Sequence, residues 1–122
     1  IPLSEIGDVA LESTTAIPFN TICAVFAKTD AIKYLKQGAA KKDILAGLNE
    51  AISTRSYNLL KRVGIQKDFT ITGGISKNKG MVAKAAEKVG LEPLLCEDPQ
   101  LVGALGAALF ARDKYNLLKT KG

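Results

Sequence analysis

Apolar residues recur at three- and four-residue spacing along most of the chain, a pattern that predicts amphipathic helices. The longest such stretch begins near Lys42 and ends before Gly64, and another covers Ile22 to Lys36. Shorter helices are expected from Ser4, a suitable N-cap, to about Leu11, and from Met81 to Val89. The chain is therefore predicted to be rich in helix.

A last helix is predicted after the Asp98-Pro99 pair, which suits the N-cap and first helical positions, and it should run to about Leu118. It carries small residues that allow another backbone to approach closely: Gly103, Ala104, Gly106, Ala107 and Ala108. We expect them to pack on a sheet, with ligand contact as the alternative interpretation.

Two short segments have the residue types of strands. "DFTIT", residues 68–72, is rich in β-formers, and "LEPLL", residues 91–95, is expected to be extended. Strands that alternate with helices predict an α/β layered domain. With 122 residues and 47% hydrophobic content, residues 1–122 should form a single domain. Because the chain opens on Ile1 within sequence typical of a folded interior, we also expect it to be a fragment of a longer protein.

Composition excludes several kinds of chemistry. The chain has no histidine, which excludes histidine-based catalysis and histidine metal ligands. Its net charge is +5, but 12 acidic residues are interspersed among 17 basic ones and no basic run alternates with aromatics, so a nucleic-acid partner is not expected. The longest apolar stretch, 101–111, is shorter than the roughly 20 residues of a membrane span, so no membrane partner is expected either.

The segment "TITGGISKNKG", residues 70–80, joins a predicted strand to a predicted helix through two glycines. Its spacing fits neither the Walker A pattern, which would need a glycine where Lys79 stands, nor the dinucleotide-binding pattern of three glycines. Glycines still allow a ligand to approach the backbone, and the N–H groups of a helix start favour phosphate oxygens. The segment is either a nucleotide-binding loop or a simple turn, and Lys77 and Lys79 either add charge to it or are only solvated.

Two cysteines without a signal peptide suggest a reducing cytosol. Cys23 lies where an extended segment is expected to enter a helix, a place that stabilises a thiolate and so suits a nucleophile, a redox thiol or a cluster ligand. An inert core cysteine is the alternative, because isolated cysteines are often buried. Cys96 lacks any partner at metal-site spacing, and we expect it to have no ligand role.

Four segments carry a more specific signal in combination than any of them carries alone: "NTICAVFAKTD", "ILAGLNEAISTR", "RVGIQKDFTITGGISKNKGM" and "PQLVGALGAALFA". In this order and at these distances they resemble the ATPase family of benzoyl-CoA reductase subunits and (R)-2-hydroxyacyl-CoA dehydratase activators. The resemblance covers nearly the whole chain, from "PLSEIGDVALES" to Phe110.

The resemblance implies the C-terminal part of an actin-like, sugar-kinase-like (ribonuclease H-like) ATPase fold, with a short sheet packed by several helices. It also implies ATP or ADP with Mg²⁺, and a homo- or heterodimer with a second ATPase subunit in which one 4Fe-4S cluster is shared. ATP turnover in this family raises the energy of an electron that passes from a ferredoxin-type donor to an acyl-CoA reductase or dehydratase component. The expected localisation is cytoplasmic, as the two cysteines and the absence of a signal peptide already suggest.

Matched residue by residue, Cys23 is the second of two cluster cysteines, and Gly73 and Gly74 belong to the nucleotide loop with Asn78 on its flank. The first cysteine lies in a "CAAGTG" segment upstream of "PLSEIG", and the acidic residues that position Mg²⁺ lie in the N-terminal part of the family chain. No catalytic residue is therefore assigned here. We expect a fragment of the C-terminal half of a longer ATPase that hydrolyses no ATP alone. The alternatives are another kinase of the same fold superfamily and a non-catalytic assembly module.

Overall fold

The computed structural model describes residues 1–20 and 23–121, and its regular structure is almost entirely helical. The helices are α1 (Ile6–Leu11), α2 (Ala24–Lys36), α3 (Lys41–Val63), α4 (Lys79–Val89) and α5 (Val102–Thr120), with a 3-10 turn over Gly74–Lys77 before α4. The predicted start of α2 at Ile22 lies outside the described residues. Helix α1 begins after Glu5, which makes no side-chain capping bond, so the predicted cap at Ser4 is wrong.

The core lies where α1, α3 and α4 meet. Its buried apolar side chains are few and mostly small, namely Ala10, Ile44, Ala46 and Met81. Glycines replace side chains at the closest approaches: a Cβ built on Gly7 would lie 2.7 Å from the backbone nitrogen of Lys79, and one on Gly80 would lie 3.0 Å from the carbonyl oxygen of Gly7. Contact between the helices is therefore made largely by backbone.

The predicted strands meet at a single point. Thr70 and Leu94 form an isolated parallel bridge, supported by a bond from the Leu94 N–H to the Phe69 carbonyl of 2.9 Å. Parallel strands form longer ladders in sheets that are covered on both faces. Within the described residues, each of these two segments pairs only with the other. Over residues 1–20 and 23–121 the expected short sheet is thus reduced to one bridge.

Helix α5 starts later than predicted. The Leu101 N–H donates to the Asp98 carbonyl at 3.0 Å, which closes a turn, and α5 begins only at Val102. None of its residues is buried, and Cβ atoms built on Gly103 and Gly106 would meet nothing within 4 Å. The small residues of α5 therefore do not pack on a sheet formed by the described residues, contrary to expectation. No described helix is both long and apolar enough to cross a bilayer.

Candidate functional site

The Gly-Gly loop has a backbone shape that only glycine adopts easily. Gly73 has φ 83° and ψ −178°, and its N–H donates to the Pro99 carbonyl at 2.8 Å. Its own carbonyl accepts a bond from the Ser76 hydroxyl at 2.7 Å. A Cβ at this position would meet nothing within 4 Å, so the space beside Gly73 is open. The loop is fixed by two bonds and leaves room for a ligand at its surface.

Gly74 follows as the first residue of the 3-10 turn and is exposed. A Cβ built on it would lie 3.2 Å from the Nε2 atom of Gln100, in the turn that precedes α5. The two glycines therefore sit against the turn that precedes α5.

Asn78 has a structural task that the sequence analysis did not assign. It is the N-cap of α4, and its Oδ1 atom accepts a bond from the Met81 N–H at 3.1 Å. This cap satisfies one of the free N–H groups at the helix start. The Asn78 oxygen is therefore engaged within the fold, directly after the 3-10 turn that Gly74 begins.

The two lysines of the loop differ in their surroundings. Lys79 forms an ion pair with Asp8 at 2.9 Å, in which both side chains are more than half exposed. Its charge is thus balanced by α1, and the pair contributes little to stability because water screens it. Lys77 is exposed at the end of the 3-10 turn. The geometry favours the solvated interpretation for Lys79.

Cys23 lies at the N-terminus of α2, as the sequence predicted. It is the N-cap residue, with extended backbone (φ −89°, ψ 125°), and it is exposed rather than buried in a core. Hydrogen bonding from the backbone N–H of Phe26, and then from that of Val25, lowers the pKa of the Cys23 thiol below its ordinary value. A thiol in this position is a better nucleophile and metal ligand at neutral pH than an ordinary one.

Cys23 provides only part of the donor set that an iron-sulfur cluster needs. Such clusters are held by several cysteine thiolates, commonly four. Across residues 1–20 and 23–121 no three His, Cys, Asp or Glu side chains come together as a metal site, and Cys96 is a second exposed thiol. Cys23 fits a single ligand position by its exposure and lowered pKa, so any cluster would need its remaining ligands from outside the described residues.

A groove between α2 and α3 opens beside Cys23. Its walls are mainly apolar and include Ile17, Phe19, Ala27, Ala51 and Leu59. Phe19 packs edge-on against Tyr34 of α2, with ring centroids 5.5 Å apart, and the Tyr34 hydroxyl donates to the Pro18 carbonyl at 3.3 Å. Pro18 and Phe19 are therefore held against α2.

The sequence analysis missed the residues that make close contacts next to the Gly-Gly loop and next to the segment before Cys23. Gly7, Gly47 and Gly80 lie inside helices, where glycine is unfavourable without a packing reason, and Asn49 is a buried polar residue on α3. Glycine at helix-interior positions was the available signal, but the partners of such close contacts depend on tertiary structure.

Comparison with known proteins gives consistent results. A model of the BadF/BadG/BcrA/BcrD ATPase family matches residues 1–111. The 2-hydroxyisocaproyl-CoA dehydratase activator of Clostridioides difficile is 35% identical over 93% of this chain and 43% of its own length. A benzoyl-CoA reductase subunit of Thauera aromatica is 28% identical over 100% of this chain and 45% of its own length.

A solved structure points the same way. The activator of the 2-hydroxyisocaproyl-CoA dehydratase from Clostridium difficile, with bound ADPNP, has a TM-score of 0.86 to this chain at 33% identity, covering 100% of this chain and 46% of that one. The predicted fold class, an α/β part of an actin-like ATPase fold, is confirmed. The chain spans less than half the length of the relatives it matches. Its matched sequence and its fold together show that it belongs to the BadF/BadG/BcrA/BcrD ATPase family.

Proposed function

We propose that this chain is the C-terminal portion of an ATP-dependent, electron-activating iron-sulfur ATPase that serves the reduction or dehydration of an acyl-CoA. Residues 1–122 would then be a single α/β domain belonging to the C-terminal half of a longer ATPase. The names of the relatives, a dehydratase activator and a benzoyl-CoA reductase subunit, support this role. The observation that carries the proposal is the exposed Cys23 thiol at the start of α2, with its lowered pKa.

The nucleotide would lie against the Gly-Gly loop. Gly73 is bound to Pro99 through its N–H and has open space beside it, and Gly74 stands at the exposed start of the 3-10 turn. Asn78 caps α4 on the flank of the same loop. These three residues would form one wall for ATP or ADP, and the groups that position Mg²⁺ would come from the other half of the ATPase. By itself the chain would bind nucleotide without hydrolysing it.

Cys23 would supply one thiolate to a 4Fe-4S cluster shared between two ATPase subunits. When bound, such a cluster supplies one-electron transfer at low potential. The N–H groups of Val25 and Phe26 would stabilise the negative charge of the thiolate. The exposed position of Cys23 leaves it accessible to ligands from a second subunit. The resulting electron path would run from a ferredoxin-type donor, through the cluster, to an acyl-CoA reductase or dehydratase component in the cytoplasm.

The nucleotide part of the proposal is tested by melting the ATPase that contains this chain with and without ADP. Ligand at 100 times its dissociation constant should stabilise the folded state by about 2.7 kcal/mol. Gly73→Ala should abolish most of this gain, because an alanine strains the backbone there and places a methyl group in the open space. Gly38→Ala is the matched control, since Gly38 also has positive φ (84°) and an open Cβ position but lies far along the chain from the loop. An equal loss of the ADP effect in both variants would contradict the proposed wall.

The cluster part is tested by anaerobic reconstitution with iron and sulfide. Cys23→Ala should lose the bound iron and its visible absorption, whereas Cys96→Ala should retain both, because Cys96 is an exposed thiol to which we assign no ligand role. Unchanged iron content in Cys23→Ala would reject the cluster role and favour a kinase or an assembly module of the same fold.

A further inference from the structure

The side chain of Gln100 lies beside the Gly-Gly loop, in the turn that precedes α5. A Cβ built on Gly74 would lie 3.2 Å from the Nε2 atom of Gln100 and 3.9 Å from its Cδ atom. Apart from the chain neighbours of Gly74, no other atom comes within 4 Å of that position. The closest group across the loop is therefore the carboxamide of Gln100, and its aliphatic part lies farther away.

The backbone on both sides of Gln100 is fixed relative to the loop. Pro99 is buried, and its carbonyl accepts the Gly73 N–H at 2.8 Å. On the other side, the Leu101 N–H donates to the Asp98 carbonyl at 3.0 Å and closes the turn that contains Gln100. The carboxamide is thus held near Gly74 by the chain around it, with only its own side-chain rotations left free.

This carboxamide is available for binding. Gln100 is exposed, and its side chain makes no hydrogen bond to another residue of the ranges 1–20 and 23–121. A primary amide presents an NH₂ donor and a carbonyl acceptor side by side in one plane. The side chain therefore suits a ligand that has a donor and an acceptor next to each other on one edge.

The charges around the loop indicate which part of a nucleotide would lie near Gln100. Glu97 and Asp98 are exposed just before Pro99, and neither forms an ion pair within the part of the chain that the structure describes. Lys77 is exposed at the other end of the 3-10 turn that Gly74 begins. Phosphate groups are repelled by the two carboxylates and attracted by the lysine. The phosphates therefore belong on the Lys77 side of the loop and the base on the Gln100 side.

We propose that Gln100 binds the edge of the nucleotide base and selects adenine. This inference rests on the proposed function and adds the residue that determines base specificity. Adenine presents its N6 amino donor next to its N7 acceptor, and a glutamine amide pairs with both at once. Guanine presents two acceptors, O6 and N7, on the same edge, so the amide carbonyl would face O6 with no hydrogen between them. Gln100 thus favours adenine by a hydrogen-bond pair that guanine cannot make.

The test measures nucleotide binding to the ATPase that contains this chain by isothermal titration calorimetry. The ligands are ADP, GDP and 7-deaza-ADP, in which a C–H group replaces the N7 acceptor. The unsubstituted protein should bind ADP about tenfold more tightly than GDP, the size of effect expected of one such pair, and should also bind 7-deaza-ADP more weakly than ADP. Gln100→Met has a side chain of similar length without the amide. It should bind ADP about tenfold more weakly, bind GDP as before, and no longer distinguish the three ligands.

Two further variants keep the test decisive. Gln100→Ala removes the contact with Gly74 by truncation, and it serves if the methionine variant does not fold. Gln66→Met, at an exposed residue between α3 and residues 68–72, is the matched control and should keep the full preference for ADP. An unchanged preference in the folded Gln100 variant, an equal weakening of ADP and GDP, or no preference in the unsubstituted protein would overturn the base-binding role and leave the nucleotide site standing. Failure of the unsubstituted protein to bind any of the three ligands would instead reject the nucleotide site, and the role of Gln100 with it.

Discussion

The junction of α1, α3 and α4 and the long helix α5 use small residues in opposite ways. In the junction, Gly7 and Gly80 bring helix backbones into contact, and a methyl group at either position would collide with neighbouring atoms. In α5, Gly103 and Gly106 face nothing within 4 Å, and large side chains such as Phe110 remain 78% exposed. The same residue type marks completed packing in one region and an uncovered helix in the other.

This difference shows where the stability of the chain resides. Close packing gains dispersion energy from many short contacts, and it is lost when a neighbour is displaced by even one methyl group. Helix α2 resembles α5 in this respect, because none of the residues of α2 is buried. The junction should therefore respond strongly to substitution, whereas α2 and α5 should respond as isolated helices do.

The largest effect is expected at Gly47. Gly47→Ala should lower the free energy of unfolding by roughly 2 kcal/mol or more, because the new methyl group meets the backbone of Ile17 and overpacking has costs of this order. Gly106→Ala is the matched control and should raise it by about 1 kcal/mol, the ordinary helix preference of alanine over glycine. Urea unfolding followed by circular dichroism measures both. Equal responses at the two sites would remove the contrast between the close contacts of α3 and the uncovered helix α5.

A smaller effect is expected at the cap of α4. Asn78→Ala should lower the free energy of unfolding by about 1 kcal/mol, because the Met81 N–H loses its acceptor. Asn116→Ala, at an exposed position within α5, should instead raise it by a few tenths of a kcal/mol through helix propensity. The same urea titration compares them, and a gain in stability for both would show that the cap contributes nothing.

Glu50 offers a weaker, pH-dependent test of the contact between α3 and α4. Its carboxylate pairs with Lys88 and with Lys84, the latter at 3.6 Å, and the hydrogen bond from Lys88 is the main reason that its pKa is lowered. Because the folded state favours the charged form, the stabilisation is present above the unfolded pKa and is lost as the pH falls through the folded pKa. Glu50→Gln should therefore cost about 0.5 kcal/mol near neutral pH and nothing in acid, as these pairs are partly solvated.

The control for Glu50 is Glu12→Gln, at an exposed residue just after α1. It should leave the free energy of unfolding unchanged at both pH values. A cost for Glu50→Gln that persists below the carboxylate titration would assign its role to packing instead of charge.

The smallest predicted effect is on the pH midpoint of alkylation at Cys23, and it involves no change in the free energy of unfolding. In a Cys96→Ser chain, the pH midpoint of iodoacetamide alkylation should lie below that of an ordinary thiol, because the N–H groups of Phe26 and Val25 favour the thiolate. The midpoint should return to the ordinary value in urea, where α2 is unfolded. A midpoint that is the same in both conditions would show that the helix start does not act on the sulfur.

Local features were predictable from the sequence, and tertiary ones were not. The helix limits near Lys36, Val63 and Val89 followed from spacing and terminal glycines, and the position of Cys23 at a helix start followed from the same pattern. The start of α5 did not, because the turn from Asp98 to Leu101 closes first and the Pro99 carbonyl accepts the Gly73 N–H.

The reduced sheet and the helix junction could not be predicted from the sequence, for a related reason. "DFTIT" has the residues of a strand, but a strand also needs neighbours, and only Leu94 pairs with Thr70 within the described residues. In the sequence, Asn49 does not differ from other polar residues of an amphipathic helix. Nothing near it in the chain indicates that Gly80 lies beside it in the fold. Contacts between distant segments are set by how the helices cross, which periodicity alone does not reveal.

The bond from the Gly73 N–H to the Pro99 carbonyl has a mechanical consequence. It ties the backbone of the Gly-Gly loop to the turn that precedes α5, so a displacement of the loop at Gly73 would break this bond or move that turn. Helix α5 has 19 residues and is therefore about 28 Å long. A tilt of about 5° at its first turn moves its far end by roughly 2 Å, given the rise of each residue along the axis. A tilt that begins at the first turn of α5 would therefore be largest at the far end of the helix.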